Sequence, residues 1–78
     1  NWAECIELID MQLSVSQGND RLKASLMFEK GEFWTKMEVY LMARENFLEA
    51  ARLSGDKEFI EQCEARVISV SNFEQVVH

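Results

Sequence analysis

The sequence predicts an all-α fold, arranged as a small antiparallel helical-hairpin array or as a four-helix bundle. The chain of 78 residues contains no proline and only three glycines, so it lacks the turn residues that a many-stranded β fold needs. Hydrophobic residues make up 47% of the chain, which is enough for a folded core. Apolar side chains recur at helical spacing between the glycines. We therefore predict a single helical domain over residues 1–78.

The first helix is predicted from Trp2 to about Ser16. Turns that contain glycine separate it and the later helices. The segments 17–19 and 54–56 combine glycine with residues that cap helices, which indicates two turns. Residues 11–16 also alternate between apolar and polar with a period of two, as a half-buried strand does. The pattern therefore leaves open whether residues 11–16 are helical or extended.

Three further segments carry a helical pattern: residues 20–30, with Asp20 as the N-cap, 32–53, and 56 to about 70. A capping-box spacing at 71–74 predicts a short final turn, and residues 67–72 could be helical or extended. The apolar side chains of 32–53 cover an arc of about 220° around one continuous helix. We expect this long helix to be central and packed against at least two others.

The charge of the chain bears on its partners. The formal net charge is −6, with eight basic and fourteen acidic residues, which argues against nucleic acid and anionic membranes as partners. No apolar run is long enough to span a membrane. Cys5 and Cys63 are too few and too far apart for a disulfide framework or a metal motif. Together these features lead us to expect a cytoplasmic protein with free cysteines.

The sequence predicts no catalytic residue, no cofactor and no metal site, and so no enzyme. His78, the only histidine, is the last residue, which leaves no base for a serine or cysteine triad. The glycines are too dispersed for a phosphate-binding loop, and zinc and calcium ligands do not cluster. Glu45 and Glu49 lie one helical turn apart on a polar face, where we expect them to be solvated.

Residues 24–56 resemble a tetratricopeptide repeat, which is an antiparallel helix pair of about 34 residues. In one register, small and aromatic residues match the helix-packing positions of the repeat, and residues 53–56 match its exit turn; the matching residues are Gly31, Trp34, Ala43, Phe47 and Ala50. The departures are Met27 and Lys30, where the family has Trp and Leu, and Glu38, where it has the glycine of the inter-helix turn.

A second register places the inter-helix turn at residues 30–33 instead. It assigns Ala24 to the small position of the first helix, and Tyr40 and Ala43 to the second helix. We prefer this register because Gly31 is the only helix-breaking residue in the segment.

The resemblance implies a protein–protein interaction module, such as an adaptor, a chaperone or a regulator, with a groove lined by the first helix of each pair. Ser25 and Phe28 fall on groove-lining positions in either register, and Arg21 and Glu29 join them in the preferred one. Arg44 falls within the apolar arc of residues 32–53, where it could extend past its neighbours to solvent, pair with a glutamate of another helix, or contact a partner. An acidic groove suits a basic or amphipathic peptide.

A self-associating structural or regulatory bundle without a groove is the alternative function. Leu8, Met11 and Val15 form a second apolar stripe on the first helix. Together with the wide arc of residues 32–53, this stripe supplies apolar surface for a homodimer.

Overall fold

The computed structural model describes residues 1–77, with side chains for residues 1–73. This part of the chain forms four α-helices and no strand: α1 Trp2–Ser14, α2 Asp20–Lys36, α3 Tyr40–Leu53 and α4 Lys57–Val77. The predicted all-α fold class is therefore confirmed. His78 lies outside the described residues.

Three of the four helices have a side-chain cap. The N-cap of α2 is Asn19, not Asp20 as predicted, because Asp20 is already the first residue of the helix. The Oδ1 atoms of Asn1, Asn19 and Asp56 accept hydrogen bonds from backbone N–H groups of the helices that follow them, as N-caps do. Val39 precedes α3 and makes no such bond. Gly18 has a φ of 84° and lies in the first of the two predicted turns.

The two segments left open by the sequence are now assigned. Residues 11–14 continue α1, and the chain leaves the helix at Val15. Residues 67–72 lie inside α4, which continues to Val77 without a separate final turn. The β-branched residues near position 70 therefore do not break the helix, because packing against other helices overrides their weak propensity.

The prediction of one long helix over residues 32–53 is wrong. The chain turns at residues 37–39 between α2 and α3, and Glu38 adopts a φ of 62°. The preferred turn at residues 30–33 is also wrong, since Gly31 lies buried inside α2. A left-handed backbone at a non-glycine residue costs about 1–2 kcal/mol and is uncommon, so no helix-breaking residue marks this turn in the sequence.

The wide apolar arc predicted for residues 32–53 arises because these residues belong to two helices, the end of α2 and all of α3, whose apolar faces were superimposed. The α3 portion does pack against two neighbours, α2 and α4. Its buried Ala43 and Phe47 join Val70 of α4 in the main core cluster. Partly buried side chains complete this cluster from three helices: Phe28, Trp34, Tyr40 and Val67.

Consecutive helices run antiparallel. Gly31 of α2 faces Phe47 of α3. Ala24, which lies nearer the start of α2, lines the same cavity as Leu53 at the end of α3. In the same way Tyr40, the first residue of α3, stacks on Phe73 of α4 at 5.4 Å between ring centroids. The helices pack mainly on their neighbours in sequence, which corresponds to the hairpin array among the two predicted architectures.

The array is thin, with Cα extents of 39 × 31 × 13 Å. A thickness of 13 Å corresponds to two layers of helices, because packed helix axes lie about 8–10 Å apart and the Cα cylinder adds about 5 Å. α3 contacts α2 on one side and α4 on the other.

α1 forms the edge of the array and packs on α2 alone among its principal contacts. The Trp2 and Phe33 ring centroids are 5.4 Å apart, and Lys36 Nζ lies 4.8 Å from the Trp2 ring. Lys30 Nζ pairs with Asp10 at 2.6 Å. None of the helices over residues 1–77 has the length and apolar character needed to cross a membrane.

Candidate functional site

A cavity of about 580 Å³ opens where the start of α2 meets the turn between α3 and α4. Its floor is apolar: Ala24 is buried, and Leu53 and Phe59 are half-buried. The remaining lining residues are polar or small and come from the start of α2 and from the turn: Asp20, Arg21, Ser25, Ser54, Gly55 and Asp56. The site therefore combines an apolar floor with a polar rim, as peptide and ligand pockets do.

Three of the predicted partner-binding residues share one exposed face of α2. Arg21, Ser25 and Glu29 are spaced four residues apart, which places them on one stripe of a helix, and all three are exposed. Arg21 and Ser25 also line the cavity. Glu29 lies one helical turn beyond Ser25 on the same exposed face, outside the lining of the cavity. We refer to the cavity together with this face of α2 as the groove.

α4 forms the opposite wall of this groove. The Phe28 and Phe59 rings approach to 5.4 Å between centroids, and the Arg66 guanidinium lies 5.2 Å from the Phe28 ring. Arg66 also donates to Glu32 at 3.0 Å. Along the chain, Phe59 of α4 contacts Phe28 of α2, and the later Arg66 contacts the later Glu32, so α2 and α4 run parallel. The Arg66–Glu32 pair closes the end of the groove that lies away from the cavity.

Phe28 and Arg44 have roles that differ from the other predicted residues. Phe28 is half-buried and makes an edge-to-face contact with Phe47 at 5.2 Å, so it belongs to the core and supports the groove from below. Arg44 is half-buried on α3, and it neither lines the cavity nor faces the exposed side of α2. The structure therefore does not bring Arg44 together with Arg21, Ser25 and Glu29.

Sequence reasoning missed three groove residues, namely Leu53, Phe59 and Arg66. They lie on α3 and α4, and their place beside α2 depends on the parallel arrangement of α2 and α4. The helical period places each residue on a face of its own helix only. The pairing of Arg66 with Glu32, 34 positions away, leaves no local pattern in the sequence.

The electrostatics near the groove are mixed. Asp20 and Asp56 stand at its rim beside the single cation of Arg21. On the neighbouring surface of α3, the guanidinium of Arg52 donates to Glu49 and holds the pKa of that carboxyl below its ordinary value. Both partners of this pair are exposed, so solvent weakens it.

The described side chains show no arrangement suited to metal chemistry, since no three of their His, Cys, Asp or Glu residues form a group that could hold an ion. Cys63 is fully buried, and desolvation raises the pKa of its thiol. A buried, protonated thiol is a poor nucleophile.

Comparison with protein-family models, with curated proteins and with solved structures finds no match to this chain.

Proposed function

We propose that this protein is a protein–protein interaction module that binds a peptide segment of its partner in the groove between α2 and α4. The observation that carries this proposal is the cavity at the start of α2. It has an apolar floor formed by Ala24, Leu53 and Phe59, and its polar rim includes Arg21 and Ser25. An apolar side chain of a peptide can be desolvated on such a floor while its backbone bonds to the rim.

The geometry of the α2–α3 pair supports kinship with tetratricopeptide repeats in the first of the two registers. Gly31 faces the Phe47 ring, and Ala43 and Ala50 are fully buried, as expected of small residues at close helix contacts. The chain turns at Glu38, at the position of the inter-helix turn in that register. On this proposal α2 is the first helix of a repeat, and its exposed side lines the groove.

The charge of the chain favours a basic or amphipathic partner. A net charge of −6 attracts cationic segments over several ångströms and raises their rate of association. Two carboxylates, Asp20 and Asp56, stand on the rim of the cavity itself. We place the role of the protein among adaptors, chaperones and regulators.

A peptide selection tests this function. A phage-displayed library of random nonapeptides is panned on the protein and on the variant Ser25→Trp, which fills the exposed rim of the cavity with an indole. Glu45→Trp is the matched control, because Glu45 is exposed on α3 and does not line the cavity. Circular dichroism confirms that both variants keep their helical content.

We expect enriched peptides to bind the unmodified protein and Glu45→Trp equally, and to bind Ser25→Trp at least about tenfold more weakly, because a filled pocket removes the central contact. If no peptide is enriched, or if Ser25→Trp binds the enriched peptides unchanged, the groove is not a peptide site.

Self-association is the second candidate function, and one observation favours it. The outer face of α1 and the residue that follows the helix carry three exposed apolar side chains, with relative exposures of 59% for Leu8, 66% for Met11 and 83% for Val15. A second copy could cover this stripe.

A further inference from the structure

The dimensions of the groove limit the segment that it can hold. Ser25, at the cavity, and Glu29 lie one helical turn apart, and Glu32 lies seven residues from Ser25. At the rise of an α-helix these separations are about 6 Å and about 10 Å. An extended peptide advances about 3.3 Å per residue. The open groove therefore spans about three residues of an extended peptide between the cavity and the Arg66–Glu32 pair.

A helical ligand does not suit this space. Packed helix axes lie about 8–10 Å apart, so a helix lying along the groove would need α2 and α4 to stand apart. Instead, the rings of Phe28 and Phe59 approach to 5.4 Å, and Arg66 bonds to Glu32 at 3.0 Å. These contacts favour an extended segment that ends or turns away at the Arg66–Glu32 pair.

The charges along the groove give the segment a polarity. Glu32 already accepts a hydrogen bond from Arg66. Glu29 is exposed on the same side of α2 and takes part in none of the ion pairs among the described side chains. Its carboxylate stands about one helical turn from the apolar floor, which is the reach of about two residues of an extended peptide.

We propose that the groove recognises a short extended motif in which an apolar side chain enters the cavity and a lysine or arginine two positions away pairs with Glu29. The inference rests on the proposed function and specifies the chemistry of the peptide. Asp20 and Asp56 add negative potential at the cavity end.

The test uses synthetic heptapeptides and protein labelled with ¹⁵N, because amide chemical shifts report binding as weak as the millimolar range expected for so few contacts. The reference probe has the sequence Gly-Ser-Leu-Ser-Lys-Ser-Gly with blocked termini. Two matched probes replace its Leu by Ala or its Lys by Glu. The protein variants are Glu29→Arg and, as a control with the same change in net charge, Glu45→Arg.

We expect the reference probe to shift the amides of Ser25, Glu29 and Phe59. Replacing Leu or Lys in the probe should weaken binding about fivefold, the effect of an exposed ion pair or of a partly buried side chain. Glu29→Arg should reverse the preference so that the Glu probe binds better than the Lys probe, whereas Glu45→Arg should keep the original preference.

Equal binding of the Lys and Glu probes, or an unchanged preference in Glu29→Arg, would overturn the proposed motif. If library peptides still require an open cavity at Ser25 but lack a basic residue at this spacing, the motif fails and the peptide-binding function stands. If the library yields no groove-dependent peptide, the function fails and the motif fails with it.

Discussion

At the scale of single residues, Gly31 shows how closely α2 and α3 approach. A Cβ atom at this position would lie 2.8 Å from Cε1 of Phe47, a ring that is fully buried. Alanine improves helix propensity by about 1 kcal/mol, but overpacking a core costs about 1–3 kcal/mol. We therefore expect Gly31→Ala to lower the free energy of unfolding by about 1 kcal/mol, measured by urea denaturation.

The origin of this effect can be isolated with a second substitution. In the double variant Gly31→Ala with Phe47→Leu, the smaller side chain makes room for the added methyl group. The double variant should therefore lose less stability than the sum of the losses in the two single variants. A Gly31→Ala variant as stable as the unmodified protein would contradict the close approach described here.

Glu38 is the second residue whose backbone decides the fold. Its φ of 62° is a left-handed conformation that costs a non-glycine residue about 1–2 kcal/mol. Glycine removes this cost but adds about 0.4–1 kcal/mol of chain entropy to the unfolded state. Glu38→Gly should therefore raise the free energy of unfolding by about 0.5–1 kcal/mol in urea denaturation.

The matched control is Glu45→Gly, which makes the same exchange at an exposed position inside α3. There the glycine should destabilise the protein by about 1 kcal/mol. Loss of stability in both variants would show that Glu38 carries no strain.

Cys63 links stability to pH. Its buried thiol has a pKa raised above the ordinary 9.0, chiefly by desolvation. Below that ordinary pKa both the folded and the unfolded chain hold a neutral thiol, and the contribution of burial is complete. As the pH rises further, the thiol ionises first in the unfolded chain, so the free energy of unfolding falls. The fall ends once the pH exceeds the raised pKa of the folded state.

We therefore expect the free energy of unfolding to fall as the pH rises through the ordinary thiol pKa of 9.0, and to fall less steeply in Cys63→Ala. Urea denaturation across this range measures both slopes, and Cys5→Ala serves as the control because Cys5 is only half-buried. Parallel curves for Cys63→Ala and the unmodified protein would exclude a thiol contribution.

At the scale of elements, α3 differs from its neighbours at the N-cap, the residue that precedes the helix. Val39 occupies the N-cap position and offers no side-chain acceptor, whereas Asn19 and Asp56 cap α2 and α4. A carboxylate at an N-cap satisfies a free N–H group and interacts favourably with the helix dipole. Val39→Asp should raise the free energy of unfolding by about 1 kcal/mol.

Val39→Ala is the control for this substitution, because it removes the same partly exposed side chain without adding an acceptor. The difference between Asp and Ala in thermal denaturation isolates the cap. An Asp variant no more stable than the Ala variant would indicate that another group already satisfies the first turn of α3.

The elements also show what the sequence could and could not predict. The turns at residues 17–19 and 54–56 follow from glycine beside capping residues, and the structure confirms both. Only the first repeat register places a turn at Glu38, and the helical pattern does not favour it because glutamate has no turn preference. Gly31, the preferred turn residue, instead packs closely against Phe47. The groove-lining positions of α2 are implied by the resemblance to the repeat, whereas the wall supplied by α4 could not be predicted because it depends on packing between helices distant in sequence.

At the scale of the whole molecule, the question is whether the apolar stripe on α1 supports a dimer. Stable interfaces bury about 800 Å² per partner, and a stripe of three side chains, Leu8, Met11 and Val15, supplies only a fraction of that. We predict a monomer up to about 100 μM, because affinities from so small an apolar area fall in the weak range. Sedimentation equilibrium measures the mass directly.

Met11→Glu is the companion variant, because it places a charge in the centre of the stripe. It should leave the measured mass unchanged. A dimer in the unmodified protein that Met11→Glu dissociates would support self-association through α1 as the function.

The thinness of the array, 13 Å across its shortest dimension, has a consequence for how such a molecule can change in size. With two layers of helices there is no deep interior, and burial occurs along the seams between consecutive helices. A helix added beside α1 or α4 would form a new seam while leaving the existing ones as they are. Lengthening by duplication therefore needs no redesign of the parts already present.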